Sequence, residues 1–122
     1  MSTYLTFFTY TRDAWQRMVQ EPENREEAAR AVVGAAGGDL VAFYWMLGEH
    51  DGIAIYDAPS PSAAAAVNAA IAASGQVAGT RTAPLLSSEE ARATLELAQV
   101  VSSSYAPPGK LAEWRAGYDE LG

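Results

Sequence analysis

The sequence predicts an α+β protein, a ferredoxin-like βαββαβ domain with a four-stranded antiparallel sheet, two helices on one face and an extra C-terminal helix. Three observations predict it. Four runs rich in aromatic and β-branched residues alternate with helix-period segments in the order β-α-β-β-α-β. The second and third runs are separated only by Gly48-Glu49-His50-Asp51-Gly52, a turn short enough for a hairpin. Each helical segment carries its own start and stop residues.

The elements follow in order. Tyr4 to Thr11 (YLTFFTYT) reads as the first strand, and Thr11 caps a short helix through Asp13, Trp15 and Met18, which Pro22 interrupts. Asn24, with Glu27 three residues on, has the spacing of a capping box. The helix that follows places Ala28, Ala29, Val32, Val33 and Ala36 on one face and stops at Gly37-Gly38. Leu40 to Leu47 (LVAFYWML) is the second strand, apolar on both faces, and Ile53 to Tyr56 the third. Ser60-Pro61 supplies an N-cap and a first-turn proline for a helix with Ala63, Ala66, Val67, Ala70 and Ile71 on one face, ended by Gly75. Val77 to Leu85 is the fourth strand; Ser87 and Glu90 then form a second capping-box pattern before a helix that runs to about Val101. Residues 1–101 form the ferredoxin-like domain. Residues 102–122 are a linker (SSSYAPPG) and a short amphipathic helix with Leu111, Trp114, Tyr118 and Leu121 at helical spacing. So short a helix is not stable alone in water: either it docks on the protomer's own body or its dimer partner, or it anchors a third party, or the tail is disordered.

Composition narrows the function classes. The chain has 122 residues, no cysteine and a formal net charge of −7. Its size suits one domain. The acidic balance opposes nucleic-acid and anionic-membrane partners, which need a basic face. The lack of cysteine excludes disulfides, zinc–thiolate sites and thiol nucleophiles. No basic and apolar leader opens the sequence, and the longest apolar stretch, Leu40 to Leu47, is far too short to span a membrane. The expectation is a cytoplasmic protein with no metal and no cofactor. Neither a Gly-x-Ser-x-Gly elbow nor a phosphate loop is present.

Two helices cover one face of a four-stranded sheet, and neither the first nor the second strand offers a polar alternate face. An apolar patch of that size marks an interface or ligand site. The expected remedy is a second copy packed sheet against sheet about a two-fold axis, giving a homodimer or a dimer-based oligomer.

The segment Ala42 to Asp51 (AFYWMLGEHD), with Ala58-Pro59 beyond it, resembles the signature of the GYD-domain family of small bacterial proteins. In that family an apolar strand with a tryptophan runs into Gly-x-Tyr-Asp, and a β-branched strand then ends in an Ala-Pro turn. His50 stands where the motif has tyrosine. The resemblance covers about residues 3–97 and implies similarity to the dimeric α+β barrel group. That group includes cofactor-independent monooxygenases, isomerases, haem proteins and non-catalytic stress proteins, so the chemistry stays open.

Candidate site residues are few. His50, the sole histidine, lies between Glu49 and Asp51; it is either a solvated turn residue or a general acid/base with Asp51 orienting it. Asp51 equally suits accepting backbone N–H groups in the turn. Arg81 is placed to hold a carboxylate or phenolate, or to pair with an acid such as Asp57. Tyr10, Tyr44 and Trp45 are either core and interface aromatics or the lining of a pocket for a flat apolar ligand. Two readings emerge: a homodimer binding an apolar or aromatic small molecule, with or without cofactor-independent proton transfer, cyclisation or oxygenation at His50; or a non-catalytic assembly protein whose aromatic face serves dimerisation.

Overall fold

The computed structural model describes residues 1–120, with side chains through residue 117. The elements are β1 (Ser2–Tyr10), α1 (Arg12–Gln20), α2 (Arg25–Ala35), β2 (Asp39–Trp45), β3 (Gly52–Ala58), α3 (Pro61–Ala73), β4 (Val77–Leu85), α4 (Ser88–Val101), a 3-10 turn (Ser102–Ser104) and α5 (Leu111–Glu120). The strands form one sheet in the order β2-β3-β1-β4, antiparallel throughout. This is the ferredoxin-like fold that the pattern of strands and helices implies. The chain divides into two compact units, Met1–Leu85 and Leu86–Gly122.

Caps fix the helix starts. Thr11 accepts the Ala14 N–H, and Ser60 accepts the Ala63 N–H ahead of Pro61. Asn24 caps α2, but by taking the Glu26 N–H, so the expected reciprocal box with Glu27 does not form. In the second unit the box at α4 is complete: Ser87 accepts from the Glu90 N–H, and the Glu90 carboxylate accepts from the Ser87 N–H. That backbone N–H, then the Ser87 hydroxyl, hold the Glu90 carboxyl below its ordinary pKa. The box therefore supports α4 above the ordinary carboxylate range and is lost as pH falls through the lowered value. Also within this unit, the Trp114 indole N–H donates to the Ser103 carbonyl at 3.1 Å, tying α5 to the 3-10 turn. The side chain of Tyr118 and the whole of Leu121 lie outside the described residues.

Strand alternation sorts β1 cleanly. Tyr4, Thr6 and Phe8 point into the core with Ala54, Tyr56 and Ala58 of β3, against Val33 of α2 and Ala64 and Val67 of α3. Tyr56 is 1% exposed. The second strand does not follow simple alternation. Leu40 pairs with Tyr56 and Ala42 with Ile55, so Val41 is an extra, bulged residue. The bulge reverses the faces: Leu40 points to the helices, then Phe43 and Trp45 do, while Ala42 and Tyr44 point away. A second register shift lies opposite Thr9 and Tyr10, where Gly79 and then Val77 are the partners and Ala78 is passed over.

The face away from the helices carries Leu5, Phe7, Ile53, Ile55, Ala42 and Tyr44, all with part or most of their surface accessible within this chain. Tyr44 is 62% exposed. Among the described residues no helix is long and apolar enough to cross a membrane.

Close backbone approach fixes the start of β3. A Cβ on Gly52 would run into the Phe8 ring and come within 2.9 Å of the Tyr44 carbonyl oxygen. Gly52→Ala is expected to destabilise the domain by about 1–3 kcal/mol through overpacking, read as a lowered urea midpoint at unchanged slope.

Candidate functional site

A cavity of about 300 Å³ lies between α2, α3 and the helix-facing side of the sheet. Its walls are largely apolar: Val32 and Val33 from α2, Val67 and Ile71 from α3, Phe8 and Phe43 from the sheet. The cavity exists because the helix faces are built from alanine. Ala28, Ala29 and Ala70 stand where longer side chains would fill the space.

Two polar features break the apolar lining. One is a floor of hydroxyls. Thr6 Oγ1 lies 3.2 Å from the Tyr56 hydroxyl and 2.7 Å from Thr82 Oγ1, and the Asn68 amide donates to Thr82 at 2.5 Å. Thr6 and Tyr56 line the cavity. The Asn68 side-chain oxygen is buried without a partner, a costly state for an acceptor. The other feature is at the opposite end, where Tyr10 and Arg25 line this cavity and also a second, smaller one of about 200 Å³ formed with Ala14, Arg17, Met18, Glu23 and Gln76.

Arg25 is the first residue of α2, and its guanidinium donates to Glu23 at 2.7 Å. Partial burial draws its pKa down, but the influence of the neighbouring Tyr10 and then of Glu23 outweighs it and raises the value above the ordinary one. Tyr10 in turn belongs to a run of rings. Its ring is 5.3 Å from Phe8, 6.1 Å from Trp15 and 5.7 Å from Trp45, and Trp15 and Trp45 are 5.7 Å apart.

The residues selected from sequence fall into two groups on opposite sides of the sheet. Tyr10 and Trp45 meet on the helix side. Tyr44 and Arg81 face away, in the cross-strand row Tyr44–Ile53–Phe7–Arg81. His50 joins that second group, its ring packed 4.9 Å from Phe7. Strand alternation divides the neighbours Tyr44 and Trp45, and the bulge at Val41 decides that Trp45 rather than Tyr44 joins Tyr10. Asp51 is used by the backbone: its Oδ2 accepts the Tyr10 N–H at 2.8 Å, its own N–H donates to the Phe8 carbonyl, and its carbonyl accepts from Met46. The Asp57 carboxylate accepts the Thr3 hydroxyl at 2.6 Å. Thr3 lies four residues from Phe7 along β1, about 13 Å at strand rise, which separates Asp57 from the Arg81 row.

Sequence reading did not select Arg25, Thr6 or the Asn68–Thr82 pair. Arg25 left one signal. A cation at the first position of a helix opposes the helix dipole, and Glu26 and Glu27 beside it show the ordinary preference. Thr6 left a fainter one, as the lone polar residue among the inward positions Tyr4, Thr6 and Phe8. Among the described residues no group of three His, Asp or Glu side chains is gathered as a metal ion would require.

A four-stranded antiparallel sheet with a cavity between it and its helix pair defines a ferredoxin-like α+β domain. The chain belongs to the GYD-domain family, whose model matches residues 4–95. That span runs from β1 into α4 and includes the hairpin turn that holds His50 and Asp51. Among curated proteins, a search finds no match.

The hydroxyl floor makes a direct prediction. Thr6→Val keeps the shape but leaves the Tyr56 hydroxyl without its partner; unfolding free energy is expected to fall by about 1–3 kcal/mol in urea titration.

Proposed function

We propose that this protein is a homodimer that binds an apolar or aromatic small molecule in the cavity between its helix pair and sheet. The observation that carries the reading is the cavity itself: a largely apolar space of about 300 Å³ with polar groups only at its two ends. Ligand sites in general are concave, mostly apolar and furnished with a few placed polar groups. A molecule held there meets Tyr10 and Arg25 rather than His50, so the reading is one of binding at the helix side.

The second copy belongs on the bare face. Leu5, Phe7, Ile53 and Ile55 present apolar surface there, which favours burial. The face is also self-complementary. A two-fold axis running along the strands between β1 and β3 lays β4 over β2 of the partner subunit. It brings the Tyr44–Ile53–Phe7–Arg81 row onto its own reverse. Arg81 then stands over Tyr44 of the partner subunit, a cation–π arrangement that self-association satisfies twice.

A second reading rests on a different observation. Tyr44, Arg81 and His50 lie on or against the same row, so a gap left between two sheets would be lined by an acid/base, a phenol and a guanidinium. That arrangement suits proton transfer on an aromatic substrate.

Two measurements test these readings. Sedimentation equilibrium at micromolar concentration is expected to give a dimer, and Ile55→Glu, at the centre of the bare face, a folded monomer; a wild-type monomer removes the dimer. An uncharged two-ring probe, 2-naphthalenemethanol, is expected to bind saturably, to be lost in Ala29→Phe, which fills the cavity, and to be unaffected by His50→Ala. Loss of binding in His50→Ala with retention in Ala29→Phe selects the interface site instead.

A further inference from the structure

We propose that the cavity is selective for a flat, two-ring carboxylate, whose rings fill the apolar chamber and whose carboxylate is gripped in the neck by Arg25 and Tyr10. This rests on the reading of the cavity as a ligand site and adds the charge and size of the ligand. Size follows from volume. An apolar cavity of about 150 Å³ accepts one benzene ring, and this chamber is about 300 Å³, room for two fused rings.

Charge follows from the neck. Tyr10 and Arg25, with Gln76, line both the apolar chamber and the smaller polar one. These three side chains stand at the boundary between the two. The guanidinium and the phenol hydroxyl are both donors, and a planar carboxylate accepts from both; arginine matches it with a two-pronged geometry. Arg17 lines the outer chamber as a second cation.

At present Arg25 is satisfied by Glu23, two residues before it, through a pair whose acid is 58% exposed. Such a pair contributes little to stability. It is an internal stand-in: one carboxylate exchanges for another, and Glu23 returns to water. The position of Arg25 at the first turn of α2, against the helix dipole, is otherwise unrewarded.

The test compares 2-naphthoate with the uncharged 2-naphthalenemethanol by titration calorimetry on the full chain. The acid is expected to bind about tenfold more tightly, the gain of a charge-assisted over a neutral hydrogen bond. Arg25→Gln is expected to abolish that difference by weakening the acid about tenfold more than the alcohol. Glu23→Gln, on the surface, is expected to tighten the acid alone, because the competitor is gone. Ala29→Phe is expected to remove both compounds. Equal affinities that neither Arg25→Gln nor Glu23→Gln alters would overturn the charge selectivity and leave the cavity as a neutral site. Retention of the acid in Ala29→Phe would place it elsewhere and overturn the proposal. Failure of both compounds to bind wild-type protein would remove this proposal and the ligand-binding reading with it.

Discussion

Tyr4, Phe8 and Tyr56 leave water together, and strand geometry forces whatever stands between them onto the other side of the sheet. Inward Tyr4, Thr6 and Phe8 imply outward Leu5 and Phe7; inward Ala54 and Tyr56 imply outward Ile53 and Ile55. All four outward residues are apolar. The α2 and α3 helices lie on the first side, so the alternation that builds the core also builds a second apolar face. A one-residue slip of β1 would exchange the two sets and gain nothing, since the outer set is nearly as apolar as the inner. Register must therefore be held by other means. The Asp51 carboxylate and N–H, which clamp the end of β1 through Tyr10 and Phe8, and the close fit of Gly52 under Phe8 supply them.

The helix side is governed by a mismatch of size. The sheet presents bulky rings, Phe8, Phe43 and Tyr56, whereas the helices present mostly alanine and valine, with Ile71. Interiors ordinarily pack to the density of organic crystals, so a persistent space among such residues is an architectural choice in the sequence rather than slack. Its hydroxyl floor, Thr6 to Tyr56 and Thr82, keeps one end polar without exposing it.

The fold was legible because its signals are local and mutually consistent. Ser60-Pro61, Ser87 with Glu90, and the glycine-bounded turn at 48–52 each specify an element boundary without reference to the rest of the chain. The Ala42–Asp51 segment and the Ala58-Pro59 turn likewise carried the family resemblance. The site was less legible, for reasons that are also physical. Strict alternation put Leu40 and Tyr44 on one face, and only pairing with β3 reveals that Val41 is passed over and the faces reverse. Arg25 was not selected because its setting depends on Tyr10, fifteen residues earlier, and on the space behind them both. Asn68 and Thr82 meet only once α3 lies on β4.

The two register shifts have a consequence for how this protein avoids its own kind of misassembly. They fall on β2 and β4, the outermost strands, and β4 carries Pro84 as well. An irregular rim with a missing amide is a poor template for an incoming strand. Copies of the chain are thereby steered away from the ribbon-by-ribbon growth that ends in fibrils, and a broad greasy surface is tolerated because the lateral route to aggregation is spoiled at both margins.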